Sequence, residues 1–457
     1  MASRLEPEKT GCGGRARHRH SARRGVARAL EPLRPRGGLH ELARIEADAR
    51  PGVRPSLAPL GDKQVLPLLS CATRSERVAE RRLASRWNGG LMAKPTRHSA
   101  RAFTTGHPST EQTARLSLSP TEHHRHLRKQ MVRQLEYDGR DVRQWQRQLR
   151  ARLRQLLGDT YGERCPLRVR SLWQLDHPLG SIEKIVFTSE PHSDVLAYVC
   201  VPHAVEPPHT WFICVQGHST GFHNSIGVDR DDNSKLIDVP GDRDFGLDCM
   251  RRGLAALCIE QRSFGERRER KQERVIERGC HEATMHALML GRTLVGERVY
   301  DVDRGIDYLA TRRDVRMNHI GVMGNSGGGT VSLFAAALLP RLRYAMPSCY
   351  FCTFEHSIMS IGHCECNYIP GLLKYAEMPD VMGLFAPKPT VIVAGEEDDI
   401  FPIAGVRKAF RRLKQIYAAA GAEDRCHLVI GPEGHRFYAD LAWPKMLQEI
   451  GRDSDSI

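Results

Sequence analysis

The feature of this sequence that most constrains its fold is an alternation of short apolar runs with amphipathic segments between residues 185 and 430. The apolar runs are Ile185–Phe187, Val195–Val201, Trp211–Val215, Leu254–Ile259, Ile320–Met323, Tyr344–Pro347, Thr390–Ala394 and Leu428–Ile430. Segments whose apolar residues recur at helical spacing are Phe245–Arg252, Arg298–Ala310, Thr330–Leu339 and Val406–Ala419. Strands without a polar face are typical of a sheet that is covered on both sides. The pattern predicts an α/β fold in which an opening hairpin leads into a mostly parallel sheet with helices on both faces.

The first 130 residues differ in composition from the rest of the chain. They hold 26 Lys and Arg against 11 Asp and Glu, while residues 131–457 hold 42 against 43. They show no sustained period and too little apolar surface to offset the entropy of ordering, so we predict a disordered, Arg-rich leader. A targeting peptide, a nucleic-acid-binding arm and an extension without function all fit this leader, and we favour the last. The balanced charge of the main body argues against a nucleic-acid-binding face there.

A helical pattern follows the leader. Its apolar positions are Leu135, Val142, Trp145, Leu149, Leu153 and Leu156, and Gly158 comes next as a stop signal. We therefore assign residues 131–180 to an N-terminal helical extension and residues 181–457 to the α/β domain.

The cysteine usage bears on the compartment. The 13 cysteines are odd in number, and several lie inside predicted strands, where cysteine packs as a small apolar residue. This usage indicates free thiols in a reducing compartment, and we expect a cytoplasmic protein. No run approaches the roughly 20 apolar residues that a membrane-spanning helix needs, so we expect no membrane partner. The sequence leaves the oligomeric state open.

The strongest chemical signal is Gly324-Asn325-Ser326-Gly327-Gly328, a G-x-S-x-G pattern between a predicted strand and a predicted helix. This strand–turn–helix context is that of a nucleophile elbow, which raises a serine hydroxyl above the sheet. Side chains at Gly324 and Gly328 would collide with neighbouring elements in so tight a turn. The amide of Gly327, at the helix N-terminus, would face an oxyanion. Ser326 is therefore the candidate nucleophile.

A serine nucleophile needs a base and a carboxylate that orients the base. The acidic run Glu396–Asp399 follows one predicted strand, and Asp398 is the candidate acid with Asp399 as its rival. His435 follows the last predicted strand in a glycine-flanked loop, and it is the candidate base. Because the carboxyl ends of parallel strands share one edge of a sheet, we expect these side chains near Ser326.

A second oxyanion donor is expected from the loop after an early strand. The apolar run Trp211–Val215 leads into Gln216-Gly217-His218-Ser219. Gly217 permits a close approach of the backbone, and the amide of His218 or of Ser219 could donate. An ordinary turn at the end of a strand is the alternative interpretation.

Between residues 183 and 450 the sequence resembles α/β-hydrolases of the acetyl xylan esterase and dienelactone hydrolase-like group. The resemblance rests on Gln216–His218, Glu260–Arg267, Gly291–Arg298, Asp303–Leu309, Gly324–Gly328, His363–Tyr368 and Gly395–Pro402. It implies an α/β-hydrolase fold and a serine esterase whose triad is Ser326, Asp398 and His435. It also favours Asp398 over Asp399, because the acid of this group lies three residues past the strand-end glycine and four before the proline.

The resemblance further implies a cleft formed by His363–Tyr368 beside the active site. Gly217, Arg262 and His363 are the candidate substrate contacts, although for Arg262 we favour a structural role in anchoring a loop. The implied substrate is a small-molecule or carbohydrate ester with a short acyl group, cleaved without a metal or an organic cofactor. The alternatives are a peptidase, thioesterase or lactonase on the same fold, or a non-catalytic scaffold with a nucleic-acid-binding leader.

Cysteines and histidines cluster around the same segment. The set is Cys349, Cys352, His356, His363, Cys364 and Cys366, and it could supply four zinc ligands. The C-x-C spacing is a less usual one for zinc. We expect instead that reduced, buried thiols shape the acyl pocket.

Overall fold

The computed structural model describes residues 116–158, 163–218, 220–271, 274–275 and 279–454. Most of the predicted leader, residues 1–115, lies outside the described residues. The end of the leader forms helix α1 (Pro120–Gln130), which begins after Ser119, whose hydroxyl accepts a hydrogen bond from the Glu122 amide. No residue of α1 is buried.

Nine strands in the described ranges form one mixed sheet. In chain order they are β1 (Arg170–His177), β2 (Gly180–Glu190), β3 (Ser193–Pro202), β4 (His209–Val215), β5 (Ala255–Ile259), β8 (Val315–Asn325), β9 (Tyr344–Ser348), β10 (Thr390–Gly395) and β11 (Cys426–Gly431). Two further short strands, β6 (Arg270–Lys271) and β7 (Arg274–Val275), pair with each other outside this sheet. The spatial order of the sheet is β1-β2-β3-β5-β4-β8-β9-β10-β11. Neighbours are antiparallel from β1 to β5 and parallel from β5 to β11. The predicted hairpin and mostly parallel sheet are thereby confirmed.

Helices cover both faces of this sheet. They are α2 (Val142–Leu157), α3 (Phe245–Arg251), α5 (Leu294–Ala310), α6 (Gly327–Leu338), α7 (Met378–Gly383), α8 (Ile403–Ala419) and α9 (Ala439–Ser454). Helix α4 (Gly279–Met289) precedes α5 and packs in a separate small cluster through Cys280. Strand β4 shows how the two cores divide: Trp211, Ile213 and Val215 enter one core, and Phe212 and Cys214 enter the other. The first core also takes side chains from α2, α5, α6, α7 and α8, and the second from α3 and α9. Both faces of the strands are buried, which explains their unbroken apolar sequences.

The predicted N-terminal extension shares the core and the sheet of the α/β domain. Helix α2 buries Trp145, Leu149, Leu153 and Leu157, and it ends at Gly158 with φ +74°. The amides of Gln134 and Leu135 donate to the carbonyls of Lys374 and Tyr375 over 3.0 and 2.9 Å. Strand β1, which also falls within residues 131–180, pairs with β2 along the edge of the sheet. The extension therefore supplies one helix and one strand to the unit that it precedes.

Across the described ranges, none of the helices combines the length and the apolar character that crossing a bilayer requires.

Candidate active site

The turn between β8 and α6 carries Ser326 alone at its tip. Ser326 has φ +58° and ψ −118°, a conformation that costs a residue with a side chain about 1–3 kcal/mol. Two backbone hydrogen bonds hold it there: its amide donates to the Ser348 carbonyl, and its carbonyl accepts from the Thr330 amide, both over 2.9 Å. The strand–turn–helix geometry of an elbow is therefore present, with the serine at its apex.

Two glycines of the elbow face the same backbone atom. An ideal Cβ atom on Gly324 would lie 2.3 Å from the Val215 carbonyl oxygen, and one on Gly328 would lie 2.0 Å from it. Neither position has room for a side chain, as the sequence predicts. A Cβ atom on Gly217 would lie 3.1 Å from Cβ of Ser326. The loop after β4 thus packs directly against the elbow.

Ser326 opens into a cavity of about 490 Å³. The predicted residues that line this cavity are His218, Ser326, Gly327 and His363, and Phe264 and Phe401 add aromatic walls. Ser219, the other candidate for the second oxyanion donor, lies outside the described residues.

The loops after β10 and β11 bring Asp398 and His435 together. Nδ1 of His435 is 2.8 Å from Oδ2 of Asp398, whose side chain is 1% exposed. The other carboxylate oxygen, Oδ1, accepts from the amides of Ile400 and Phe401 over 2.9 and 3.0 Å. Asp399, the rival candidate, is exposed to solvent. The geometry selects Asp398 as the partner of the histidine.

The charge of Asp398 sets the hydrogen bonding of His435. Burial acts to raise the pKa of Asp398, but the hydrogen bond and charge of His435 and the Phe401 amide outweigh it, so this pKa lies below its ordinary value. An ionised carboxylate accepts the Nδ1 proton and leaves Nε2 as the acceptor of the neutral ring. Nε2 of His435 is buried and has no hydrogen-bond partner among the residues that the structure describes.

Phe401 connects this pair to the cavity. Its ring stacks on the His435 ring at a centroid distance of 5.9 Å, and it lies 5.4 Å from the His363 ring. Phe401 itself lines the cavity into which Ser326 opens, whereas Asp398 and His435 do not, so the pair lies next to a residue of the cavity wall. The three candidate side chains follow β8, β10 and β11, at the carboxyl edge of the parallel sheet, where α/β proteins bind their ligands.

The sequence profile of the Abhydrolase family matches residues 121–424, about two thirds of the chain. The chain belongs to the Abhydrolase family. A protein of Bacillus subtilis (strain 168) named "Putative hydrolase YtaP" is 25% identical to it over 291 residues, which cover 63% of this chain and 92% of that protein. The resemblance to α/β-hydrolases seen in the sequence is thereby confirmed.

Solved structures share the fold of this Abhydrolase protein at low sequence identity. A "putative acetyl xylan esterase" from Bacteroides fragilis NCTC 9343 has a TM-score of 0.59 and 15% identity, with 72% of this chain and 84% of that chain covered. Methylesterase BT1017 has a TM-score of 0.51 and 20% identity, with 68% of this chain and 63% of that chain covered. These matches confirm the predicted α/β-hydrolase fold.

Arg262 of this Abhydrolase protein lies in an ion-pair network. Its guanidinium nitrogens bind carboxylate oxygens of Glu190, Glu297 and Asp301 over 2.8 to 3.0 Å, and its side chain is 13% exposed. Arg262 is not among the residues that line the cavity, which gives no support to a contact with substrate. Its partners lie on β2 and α5, and Arg262 therefore anchors the loop after β5, which is the role favoured from the sequence.

Glu260 is a residue of this region to which sequence reasoning gave no role of its own. It follows β5, is 1% exposed, and accepts hydrogen bonds from the amides of Phe222 and Glu266 over 3.2 and 3.1 Å. Burial raises the pKa of Glu260 to about 8, although the two amides lower it. The carboxyl group ties the loop after β4, which carries Gly217, to the loop after β5. The sequence signal that could have pointed to Glu260 is a glutamate placed directly after a predicted apolar strand.

The cysteines do not assemble in the set that the sequence suggested. Cys349 lies beside Asp398 and His435, and its Sγ donates to the Arg436 carbonyl over 3.1 Å. Cys364 and Cys366 meet a different pair, which is described below. Cys364 lines the cavity, so part of the cluster does border the pocket, as expected.

Proposed function

We propose that this protein is a serine hydrolase that cleaves carboxylic esters with short acyl groups, using Ser326, His435 and Asp398. The observation that carries the proposal is the strained Ser326 at the apex of the elbow, opening into a cavity whose wall residue Phe401 stacks on the histidine of the hydrogen-bonded Asp398–His435 pair. Strained residues persist where the surrounding structure requires them, and they concentrate at catalytic sites.

In the first half of the reaction, Oγ of Ser326 attacks the ester carbonyl carbon while its proton passes to Nε2 of His435. The carbonyl oxygen becomes an oxyanion, which accepts hydrogen bonds from the amide of Gly327 and from the loop at His218. When the tetrahedral intermediate collapses, the bond to the alcohol oxygen breaks and His435 returns the proton to that oxygen. The alcohol leaves, and the acyl group stays on Ser326.

In the second half, a water molecule attacks the acyl-enzyme and gives one proton to Nε2 of His435. Collapse of this second intermediate returns the proton to Ser326 and releases the carboxylic acid. Asp398 stays ionised throughout, holds the imidazole ring in place and stabilises the imidazolium. No step requires a metal ion or an organic cofactor.

The proposed substrate is a carbohydrate ester or a similar small polar ester. The Bacteroides fragilis neighbour and the methylesterase carry esterase names, which supports an ester rather than an amide. The wall of the cavity also includes the polar side chains of His281, Glu365 and Thr220, which suit a hydroxyl-rich alcohol portion. His363, which lines the cavity, remains a proposed substrate contact, and so does Gly217, which packs on Ser326.

Two other expectations stay predictions. The eleven cysteines of the described residues form no disulfide bonds, which fits the expected cytoplasmic location. Nucleic-acid binding, if it occurs, would involve the basic leader, most of which lies outside the described residues. Salt dependence of such binding would separate it from esterase activity, since phosphate contacts weaken steeply with salt.

The test is hydrolysis of p-nitrophenyl esters from acetate to octanoate by the wild type and Ser326→Ala. Alanine keeps a Cβ atom at φ +58°, so the variant retains the backbone strain of the wild type and loses only the hydroxyl group. We expect activity on the short esters that disappears in Ser326→Ala and persists in Ser360→Ala, a control at an exposed serine. Activity that survives Ser326→Ala would refute the assignment of the nucleophile.

A second measurement separates ester hydrolysis from other acyl transfers. A fluorophosphonate probe should add one adduct to the wild type, located on Ser326 by peptide mass spectrometry, and none to Ser326→Ala. An adduct on Ser326 without ester hydrolysis would refute esterase activity and direct the search to amides, thioesters and lactones. The absence of both adduct and activity would support the non-catalytic scaffold.

A further inference from the structure

Four side chains with metal-binding atoms converge beside the cavity, outside the proposed triad, and three of them line it. They are His218, Cys280, Cys364 and Cys366, and their ligand atoms all lie within 4.8 Å of one another. Nε2 of His218 is 3.1 Å from Sγ of Cys366, which is 3.4 Å from Sγ of Cys364. Three parts of the chain contribute: the loop after β4, the first turn of α4, and the segment around the short helical turn Glu365–Asn367.

We propose that these four residues bind one zinc ion. Three thiolates and one imidazole form a donor set of structural zinc sites, which are tetrahedral. Zinc–sulfur bonds of about 2.3 Å and zinc–nitrogen bonds of about 2.0–2.1 Å set ligand atoms about 3.5–3.8 Å apart in a tetrahedron. To surround such an ion, the separations of 3.1 and 3.4 Å would lengthen by a few tenths of an ångström, and separations of up to 4.8 Å would shorten by about 1 Å at most.

Arg298 provides an independent observation that points to negative charge at this cluster. It is 2% exposed, and it donates to Sγ of Cys280 over 3.2 Å and to the Arg262 carbonyl over 2.7 and 3.1 Å. Its guanidinium also lies 4.3 Å from the centroid of the Phe264 ring. None of these partners is a carboxylate, yet a buried cation needs a compensating charge.

Zinc bound by three thiolates and one neutral imidazole supplies that charge. The complex carries a net charge of −1, which balances the guanidinium of Arg298, whereas three neutral thiols leave it uncompensated. A hydrogen bond from Arg298 to a ligating sulfur is also the kind of contact that orients metal ligands from outside the coordination sphere. The metal-free expectation from the sequence is revised by this argument.

The ion would act on the site by position. Four protein ligands close its coordination, so it has no open position for substrate. It would hold the His218 side chain against the Cys364–Cys366 segment and so fix the loop that carries Gly217 and the proposed oxyanion donor. The assignment rests on ligand geometry and charge and does not depend on esterase activity.

The test is the zinc content of the full-length protein after exchange into buffer without metal. We expect about one zinc per chain in the wild type, and loss of most of it in Cys280→Ser and in Cys364→Ser. Cys352→Ser is the matched control: it removes another buried thiol, outside the cluster, and should keep its zinc. Replacement of zinc by Co²⁺ should give the thiolate charge-transfer absorption and the intense visible bands of a tetrahedral site.

Two results would overturn the proposal without reference to any variant. One is wild-type protein that takes up no zinc when Zn²⁺ is added in excess, and whose 13 cysteines all titrate as thiols after unfolding without reductant. The other is a titration that finds two thiols fewer, together with peptide mapping that places the disulfide between two cysteines of the cluster. Zinc binding without ester hydrolysis would refute only the proposed function, and ester hydrolysis without zinc only this site.

Discussion

Glu260→Gln should change how the stability of the protein depends on pH. The carboxyl group of Glu260 is buried between two loops and accepts two backbone hydrogen bonds, while burial raises its pKa to about 8 from the ordinary 4.5. Between these two pKa values the folded protein holds a proton that the unfolded chain releases. Its contribution to stability is fully present below pH 4.5 and is lost as the pH rises through 8.

The magnitude follows from the difference between the two pKa values. The free energy of unfolding falls by about 1.4 kcal/mol per pH unit between them, which gives a total on the order of 5 kcal/mol. From about pH 5.5 to about pH 8.5 the wild type should lose about 3 kcal/mol through this group. Glutamine has a similar shape and does not titrate. The free energy of unfolding of the variant should therefore lack this dependence on pH, whatever its value at any one pH.

Urea denaturation at several pH values, followed by circular dichroism, measures the effect. The quantity to compare is the difference in unfolding free energy between wild type and variant, because the titration of all other groups cancels in it. Glu282→Gln, at an exposed position of α4, serves as the control and should run parallel to the wild type. Parallel curves for Glu260→Gln and the wild type would refute the reasoning and show that Glu260 is ionised in the folded protein.

Two further substitutions test the site and its support. Asp398→Asn should lower kcat on the order of 10³–10⁴-fold with a small change in KM. Two backbone amides hold Oδ1, so the new NH₂ group faces Nδ1 of His435 and reverses the tautomer of the ring. An unchanged kcat in steady-state kinetics would contradict this. Arg262→Ala should lower the free energy of unfolding by about 1.5–3 kcal/mol, because it removes hydrogen bonds from buried carboxylates that each keep one other arginine partner. A loss under about 1 kcal/mol in urea denaturation would show that the network is dispensable.

The strands of the parallel region could be predicted from sequence because each is buried on both faces. The predicted run Thr390–Ala394, for example, differs by one residue from strand β10. Strand β1 could not be found in this way, since it lies at the edge of the sheet with mostly exposed, polar residues. Helix α9 was missed as well, and Pro444 lies within it, a residue that ordinarily argues against a helix.

The candidate site also contains residues that local sequence identifies and contacts that only the fold brings about. Ser326, Asp398 and His435 each follow a recognisable strand, so local sequence sufficed to single them out. The partners of Arg262 could not be predicted, since Glu190 and Asp301 reach it only through the fold. The His218–Cys366 contact joins residues 148 positions apart, and no spacing rule connects residues so distant.

The carbonyl oxygen of Val215 limits how the elbow can vary in evolution. Because Gly324 and Gly328 both abut this one atom, a substitution at either must push the end of β4 away. Once that end has moved, a side chain at the other glycine has a smaller steric clash. The double substitution should therefore lower the free energy of unfolding by less than the sum of the two single substitutions. The same movement displaces Gly217, which packs on Ser326. The effects of substitutions at the three glycines should therefore depend on one another. The spacing between β4 and β8 can then change only together with the position of Ser326.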